Sequence, residues 1–212
     1  KAREDGGYDA LFVAIGAQRA RTLDIPGDGG IAVVNAIDVL RQFENSADGG
    51  ELSLGGKVVI YGGGNVAMDV ARSAVRLGAA VQMVVLESRE QMPAHDFEVK
   101  EALEEGCQIQ PLRTIVRVEK GTLTLEEMAL DTQGKPQPTG RFESLQADTV
   151  VLAIGQEVET HLVEGIDGVS VRDGVVEVDQ HMMTGHQGLF AGGDMVPSDR
   201  TMTSAIGHGK KA

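Results

Sequence analysis

Residues 57–69 read KVVIYGGGNVAMD, a short apolar run entering a glycine cluster and leaving it as a helix-like segment. Gly62, Gly64 and Ala67 occupy the G-x-G-x-x-(G/A) positions of a dinucleotide-binding turn. The first serves the tight turn, the second lets a pyrophosphate approach the backbone, and the third lets helix and strand pack closely. Such a triplet recurs by chance, so its context decides. Val58–Tyr61 has the continuous apolar character of a buried parallel strand, and Asn65 is placed to cap a helix over Val66–Leu77. Ala67, Val70, Ala71, Ala74 and Val75 form that helix's small apolar face. Gly78 ends it, and Val81–Leu86 reads as a second buried strand delivering Glu87. A carboxylate about 20 residues past the glycine turn is where NAD-type sites bond the ribose 2′-hydroxyl. The competing reading is a glycine-rich turn in some other α/β protein.

The 212 residues suit one large domain or two small ones, and a 42% hydrophobic content is enough for a buried core. With 28 glycines, five Phe, two Tyr and no Trp, that core must be aliphatic. A formal charge of −13 without long acidic runs disfavours a nucleic-acid partner. Cys107 is the single cysteine, so no intrachain disulfide can form and there is no C-x-x-C redox pair. It reads as a small buried hydrophobe at the start of a strand. The chain has neither an apolar run of about 18 residues nor a signal-like start, which predicts no membrane span and a cytoplasmic protein. Five histidines, among them His95 in a loop, lack metal-ligand spacing, and no metal site is expected.

One element occurs twice. Tyr8–Ala17 (YDALFVAIGA) is echoed by Ala147–Gln156 (ADTVVLAIGQ), each reading as a buried strand ending in Ala-Ile-Gly. The copies bracket the glycine turn, as insertion of one domain into another would leave them. Between them, Asp96–Gly106 reads as a charged helix with Phe97, Val99 and Leu103 as its apolar face. Gln108–Leu112 reads as a strand. Thr114–Glu119, Leu123–Thr132 and Arg141–Leu145 read as a meander covering one face of the parallel sheet. Val169–Val171 and Val175–Val178 flank an Asp-Gly hairpin turn. Near the end, Gly188–Met195 is an apolar run closing in Gly-Gly-Asp, and SAIGHGKKA reads as a helix stopping mid-pattern. Both termini read as cut, so a fragment is expected.

These residues together resemble the FAD-dependent pyridine nucleotide oxidoreductases related to the small (beta) subunit of bacterial glutamate synthase. The resemblance rests on GGGNVAMD (62–69), REQMPA (89–94), LAIGQ (152–156) and LFAGGDM (189–195), in that order, and runs over essentially the whole chain. It implies an α/β fold in which a Rossmann-like NAD(P)-binding domain, with parallel sheet and β-meander, is inserted in an incomplete FAD-binding domain. The implied boundaries are 1–50 and 156–212 for the FAD part and 51–155 for the NAD(P) part.

The resemblance further implies that Gly62, Gly63, Gly64, Asn65, Val66 and Ala67 contact the NAD(P) pyrophosphate. Glu87, Ser88 and Arg89 would line the ribose, and Ala153, Ile154 and Gly155 would lie beside the nicotinamide half. Ala14, Ile15 and Gly16 would approach FAD, Gly193 and Asp194 would hold its phosphate and ribityl region, and Met202 and Thr203 would present backbone to the flavin ring. These are binding roles, with no catalytic acid or base implied. The implied function is hydride transfer from NAD(P)H to FAD and electron delivery to iron-sulfur clusters or a partner subunit. A non-catalytic nucleotide-binding scaffold module is the alternative from another class. A thioredoxin reductase-type enzyme shares the plan but needs a cysteine pair, and a methyltransferase has no use for the paired Ala-Ile-Gly strands.

Three departures from the family pattern stand out. The N-terminal cluster-ligating cysteines and the first FAD-binding turn are not in this sequence, so FAD is expected only of the full-length protein. Apolar strands without their missing half would favour a homodimer of the fragment. NADP-using members commonly carry two arginines where this chain has Leu86 and Glu87. A carboxylate repels a 2′-phosphate, so NADH is favoured over NADPH, with Arg89 the residue that would oppose this.

Overall fold

A computed structural model describes residues 7–46 and 53–212, and for Asn45 and Ser46 the backbone only. The expected boundary at 50/51 lies outside the described residues. The chain forms two compact units, Ala20–Gly155 and Lys1–Arg19 with Gln156–Ala212.

In the Ala20–Gly155 unit, β1 (Ala32–Asn35) leads into α1 (Ala36–Ser46), β2 (Lys57–Tyr61) into α2 (Asn65–Arg76), and β3 (Ala80–Val84) into α3 (Asp96–Glu104). Then come β4 (Gln108–Gln110), the strands β5 (Arg113–Glu119), β6 (Thr122–Leu130) and β7 (Pro136–Gln146), and finally β8 (Thr149–Leu152). A five-stranded sheet runs in the order β1-β8-β2-β3-β4 with every neighbouring pair parallel. The remaining three strands make an antiparallel sheet, β5-β6-β7. This is the α/β architecture expected.

The two-residue period of a strand sorts the central side chains to opposite faces. Val58 and Ile60 of β2 join a core with Ala67, Met68, Val70, Ala71 and Ala74 of α2. Val59 and Tyr61 join another core with Ile115, Val118, Leu123 and Leu125 of the antiparallel sheet. The meander therefore covers one face and the helices the other. Because both faces are covered, β8 is buried at all four positions, which is why it reads as an unbroken apolar run.

Four local expectations are corrected. Asn65 does not cap α2. Gly64 is the N-cap residue, with no side-chain cap, and Asn65 is the first helical residue. The second buried strand stops at Val84, so Glu87 sits three residues past its end. On α3 the buried residues are Val99 and Ala102, while Phe97 (60% exposed) and Leu103 (47%) face outward. The strand of the first Ala-Ile-Gly copy, Leu11–Val13, is not buried as its echo is. It pairs in parallel with Leu189–Ala191 in a sheet of two strands, leaving Leu11 41% and Phe12 39% exposed. Residues 32–46, for which the sequence offered no reading, supply an edge strand and an amphipathic helix.

The other unit has its own core, with Ala17, Val158, Val163, Val176, Ala191, Met195 and Val196 buried together. Its Val171–Arg172 and Val175–Val176 strands form the expected Asp-Gly hairpin, with Asp173 at φ +51° and Gly174 at φ +75°. A helix over Met202–Lys211 closes the chain.

Candidate functional site

The glycine turn lies at the carboxyl edge of the parallel sheet, where ligands bind in open α/β folds. Its three glycines are not equivalent. Gly62 has φ +138°, and a Cβ there would lie 2.3 Å from the Ala153 carbonyl oxygen. A Cβ on Gly63 would lie 2.7 Å from the Val85 side chain. The protein's own packing therefore requires both. Gly64 has an ordinary φ of −93°, and a Cβ added there would meet nothing within 4 Å. Neither conformation nor packing accounts for glycine at this position, whereas a ligand lying against the backbone would.

Helix α2 begins at this point with no acidic residue in its first turn and no side-chain cap. As the first residues of the helix, Asn65, Val66 and Ala67 have amides with no carbonyl partner in the preceding turn. That arrangement suits an anion, because hydrogen-bond donors and the positive end of the helix dipole converge there.

Ala153, at the exit of β8, donates its amide to the Tyr61 carbonyl at 2.9 Å, which brings the Ala153–Gly155 segment against the glycine turn. Gly155 has φ +105°, and its carbonyl accepts from the Arg21 amide at 3.1 Å. On the opposite side of β2, the carbonyl of half-buried Glu87 accepts from the Leu112 amide at 3.1 Å, and Leu112 itself has φ +52°. Ser88 is buried (7% exposed) and its hydroxyl donates to Glu90 at 2.9 Å. Arg89 lies 4.0 Å from Asp96 at the start of α3. The residues expected to line the pyrophosphate and ribose of NAD(P), together with Ala153–Gly155, thus gather along one sheet edge.

Sequence reasoning missed the segment that fixes this edge. Met92 packs under Gly63, the Ala94 amide donates to the Gly63 carbonyl at 3.1 Å, and the His95 amide donates to Asn65 Oδ1 at 3.1 Å. The signal was the Met-Pro-Ala of REQMPA, legible only as a family signature because nothing periodic surrounds it. Tyr61 was missed as well. Its hydroxyl shares a 2.6 Å hydrogen bond with Thr114 Oγ1, and burial pushes its phenol pKa up.

In the other unit, the parallel pairing of Leu11–Val13 with Leu189–Ala191 sets Ala14-Ile15-Gly16 beside Gly192-Gly193-Asp194. The Gly192 amide donates to the Val13 carbonyl at 3.1 Å, and the Ile15 amide points to Met195 Sδ at 3.4 Å. A Cβ on Gly192 would strike the Phe12 ring at 2.5 Å, so packing explains that glycine. The Gly193 amide donates to His208 Nδ1 at 3.1 Å, which ties the final helix to the turn. Met202 and Thr203 open that helix, Met202 being 81% exposed, and Thr201 caps it by accepting from the Ser204 amide. The sequence motifs expected around FAD are therefore neighbours within this unit.

Among the described residues no cluster of His, Cys, Asp or Glu could hold a metal ion, and no helix is long and apolar enough to cross a membrane. Cys107 is buried, as the small hydrophobe expected there, and burial raises its thiol pKa.

A two-unit α/β chain with a glycine turn at the edge of its parallel sheet and a Gly-Gly-Asp turn in the second unit has the layout of a two-dinucleotide-binding flavoprotein. The pyridine nucleotide-disulphide oxidoreductase family matches residues 1–209, and the chain belongs to it. It is 36% identical over 221 residues to the NADP(+)-dependent formate dehydrogenase subunit beta of Moorella thermoacetica, covering 97% of this chain and 31% of that one. It is 32% identical over 231 residues to the glutamate synthase (NADPH) small chain of Azospirillum brasilense, covering 96% and 47% respectively. The expected kinship with the glutamate synthase small subunit is thereby found. Thioredoxin reductase from Lactococcus lactis has the same fold, with a TM-score of 0.75 at 21% identity over 97% of this chain and 64% of that one. The chain thus spans from about a third to about a half of the two curated relatives.

Proposed function

We propose that the Ala20–Gly155 unit binds a reduced pyridine nucleotide at the Gly62–Ala67 turn, and that the whole protein is a cytoplasmic flavoprotein oxidoreductase. The observation that carries the reading is Gly64, a glycine that no contact within the protein requires, set at an uncapped helix start. When bound, the nicotinamide and flavin supply hydride transfer, as cofactors of this kind do. The chain's own part is to bind and orient. The α2 amides would hold the pyrophosphate, Glu87 would accept from a ribose hydroxyl, and Ala153–Gly155 would line the nicotinamide half. Ala14–Gly16, Gly193, Asp194, Met202 and Thr203 would do the same for FAD in the full-length protein. Electrons would pass to an iron-sulfur domain or a partner subunit, a reading supported by relatives whose names describe them as a subunit or small chain of a larger enzyme.

The nucleotide we favour is NADH. Both curated relatives above carry NADP(H) in their names, yet this chain presents Leu86 and Glu87 where the family resemblance implies that NADP-using members commonly carry arginines. Calorimetric titration with NADH and NADPH, repeated on Glu87→Arg, tests the reading. Tighter NADH binding that reverses in the variant supports both the site and the role of Glu87. Tighter NADPH binding by the unaltered chain refutes the specificity, and absence of binding to either refutes the nucleotide site and leaves a scaffold module.

A further inference from the structure

Arg89 is the only arginine or lysine in the stretch Leu86–Asp96, and so the one permanent cation there that could receive a 2′-phosphate. Its surroundings work against that use. Ser88 holds the Glu90 carboxylate by a 2.9 Å hydrogen bond, and Glu90's own backbone amide, then the Ser88 hydroxyl and last the Arg89 charge favour its ionised form. On its other side the guanidinium faces Asp96 at 4.0 Å. The backbone leading into Asp96 is anchored to the glycine turn through Ala94 to Gly63 and His95 to Asn65. Glu90 and Asp96 thus set two negative charges against one positive, and a 2′-phosphate would add nearly two more.

We propose that Asp96 is a specificity-determining residue for the nucleotide: it holds Arg89 toward the start of α3 and keeps the ribose end of the site negative, so that a nucleotide with a free 2′-hydroxyl is taken and one with a 2′-phosphate is refused. This rests on the reading of the glycine turn as a pyridine nucleotide site. The pair need not stabilise the fold to act in this way. An exposed ion pair contributes little to stability, whereas its field acts on any dianion brought within a Debye length. Selection here is by repulsion and by withholding a partner, which is how binding sites commonly reject a close analogue.

The test is calorimetric titration of the chain with NADH and NADPH at low ionic strength, for the unaltered protein, Asp96→Asn, Glu90→Gln and the double variant Asp96→Asn/Arg89→Ala. Asp96 is fully exposed, so its replacement leaves folding intact. The expected result is that Asp96→Asn improves the NADPH affinity relative to NADH by about fivefold, the size expected for removing one charge from near a dianion in water. Glu90→Gln should shift the ratio in the same direction. The gain should be smaller in the double variant, because freed Arg89 supplies part of it and relieved repulsion the rest. An unchanged ratio in Asp96→Asn, with NADH still bound, overturns the proposal alone, as does a gain left undiminished by loss of Arg89. Failure of the unaltered chain to bind either nucleotide overturns the proposal together with the reading beneath it.

Discussion

The amide of His95 donates to Asn65 Oδ1 at 3.1 Å, joining the start of α3 to the start of α2 across 30 residues of sequence. Together with the Ala94-to-Gly63 bond it makes REQMPA a clamp on the glycine turn. Asn65 looks from the sequence like a cap for its own helix, and it serves the neighbouring helix instead. The uncapped α2 amides are left for a ligand. Replacing Asn65 with Ala should cost about 1 kcal/mol, the usual net worth of one hydrogen bond, and raise the amide hydrogen exchange of His95. Unchanged exchange at His95 would show that the bond does not form in solution.

The glycine turn predicts opposite outcomes for two similar substitutions. Gly62→Ala forces a Cβ to 2.3 Å from the Ala153 oxygen in a positive-φ conformation, and should destabilise the chain by on the order of 3 kcal/mol. Gly64→Ala meets open space at φ −93° and should change stability by less than about 0.5 kcal/mol. It should nevertheless weaken nucleotide binding roughly tenfold or more by keeping the pyrophosphate off the backbone. Denaturant melts and titrations on the pair separate these effects.

Tyr61 and Thr114 tie the end of β2 to the start of β5. Tyr61→Phe removes the hydroxyl, leaves that of half-buried Thr114 without its partner, and should cost about 1 kcal/mol. A Tyr61→Phe/Thr114→Val double variant should recover part of the loss, since both polar groups are then gone. A melting temperature equal to that of the unaltered chain in the single variant would contradict the bond.

Acid should act through Glu105. Its carboxylate takes Arg76 and Arg72 together, with bonds of 2.7 to 3.0 Å, and Arg76 followed by Arg72 holds its pKa below the ordinary carboxylate value. A lowered folded-state pKa means that the contribution is complete above the unfolded value and is lost as the pH falls through the folded one. The melting temperature of the unaltered chain should therefore fall toward Glu105→Gln as the pH drops below about 4. Parallel curves for the two proteins across that window would rule Glu105 out.

Cys107 is 3% exposed with a thiol pKa raised by burial, so it should resist alkylation in the native chain and react at once in denaturant. Rapid native labelling would mean that the α3-to-β4 connection opens readily.

Much of the nucleotide-binding unit was legible because its signals are local. A parallel strand buried on both faces reads as an unbroken apolar run, a glycine triplet marks a turn, and the small face of α2 repeats at helical spacing. Those physical constraints act between residues a few positions apart, so composition and order alone determine β2, α2, β3 and the position of the turn between them. Tertiary structure decided what depends on distant partners. Only packing shows that Gly62 and Gly63 serve neighbouring segments and Gly64 does not, since a glycine's reason lies in whatever approaches its missing Cβ. Only the fold brings Asp96 to Arg89, His95 to Asn65 and His208 to Gly193, because a hydrogen bond or ion pair between residues far apart in sequence leaves no period in it. Burial of the two Ala-Ile-Gly strands was decided the same way. Their sequences are nearly alike, and their environments differ because one has a covered sheet on both sides and the other has a single strand beside it.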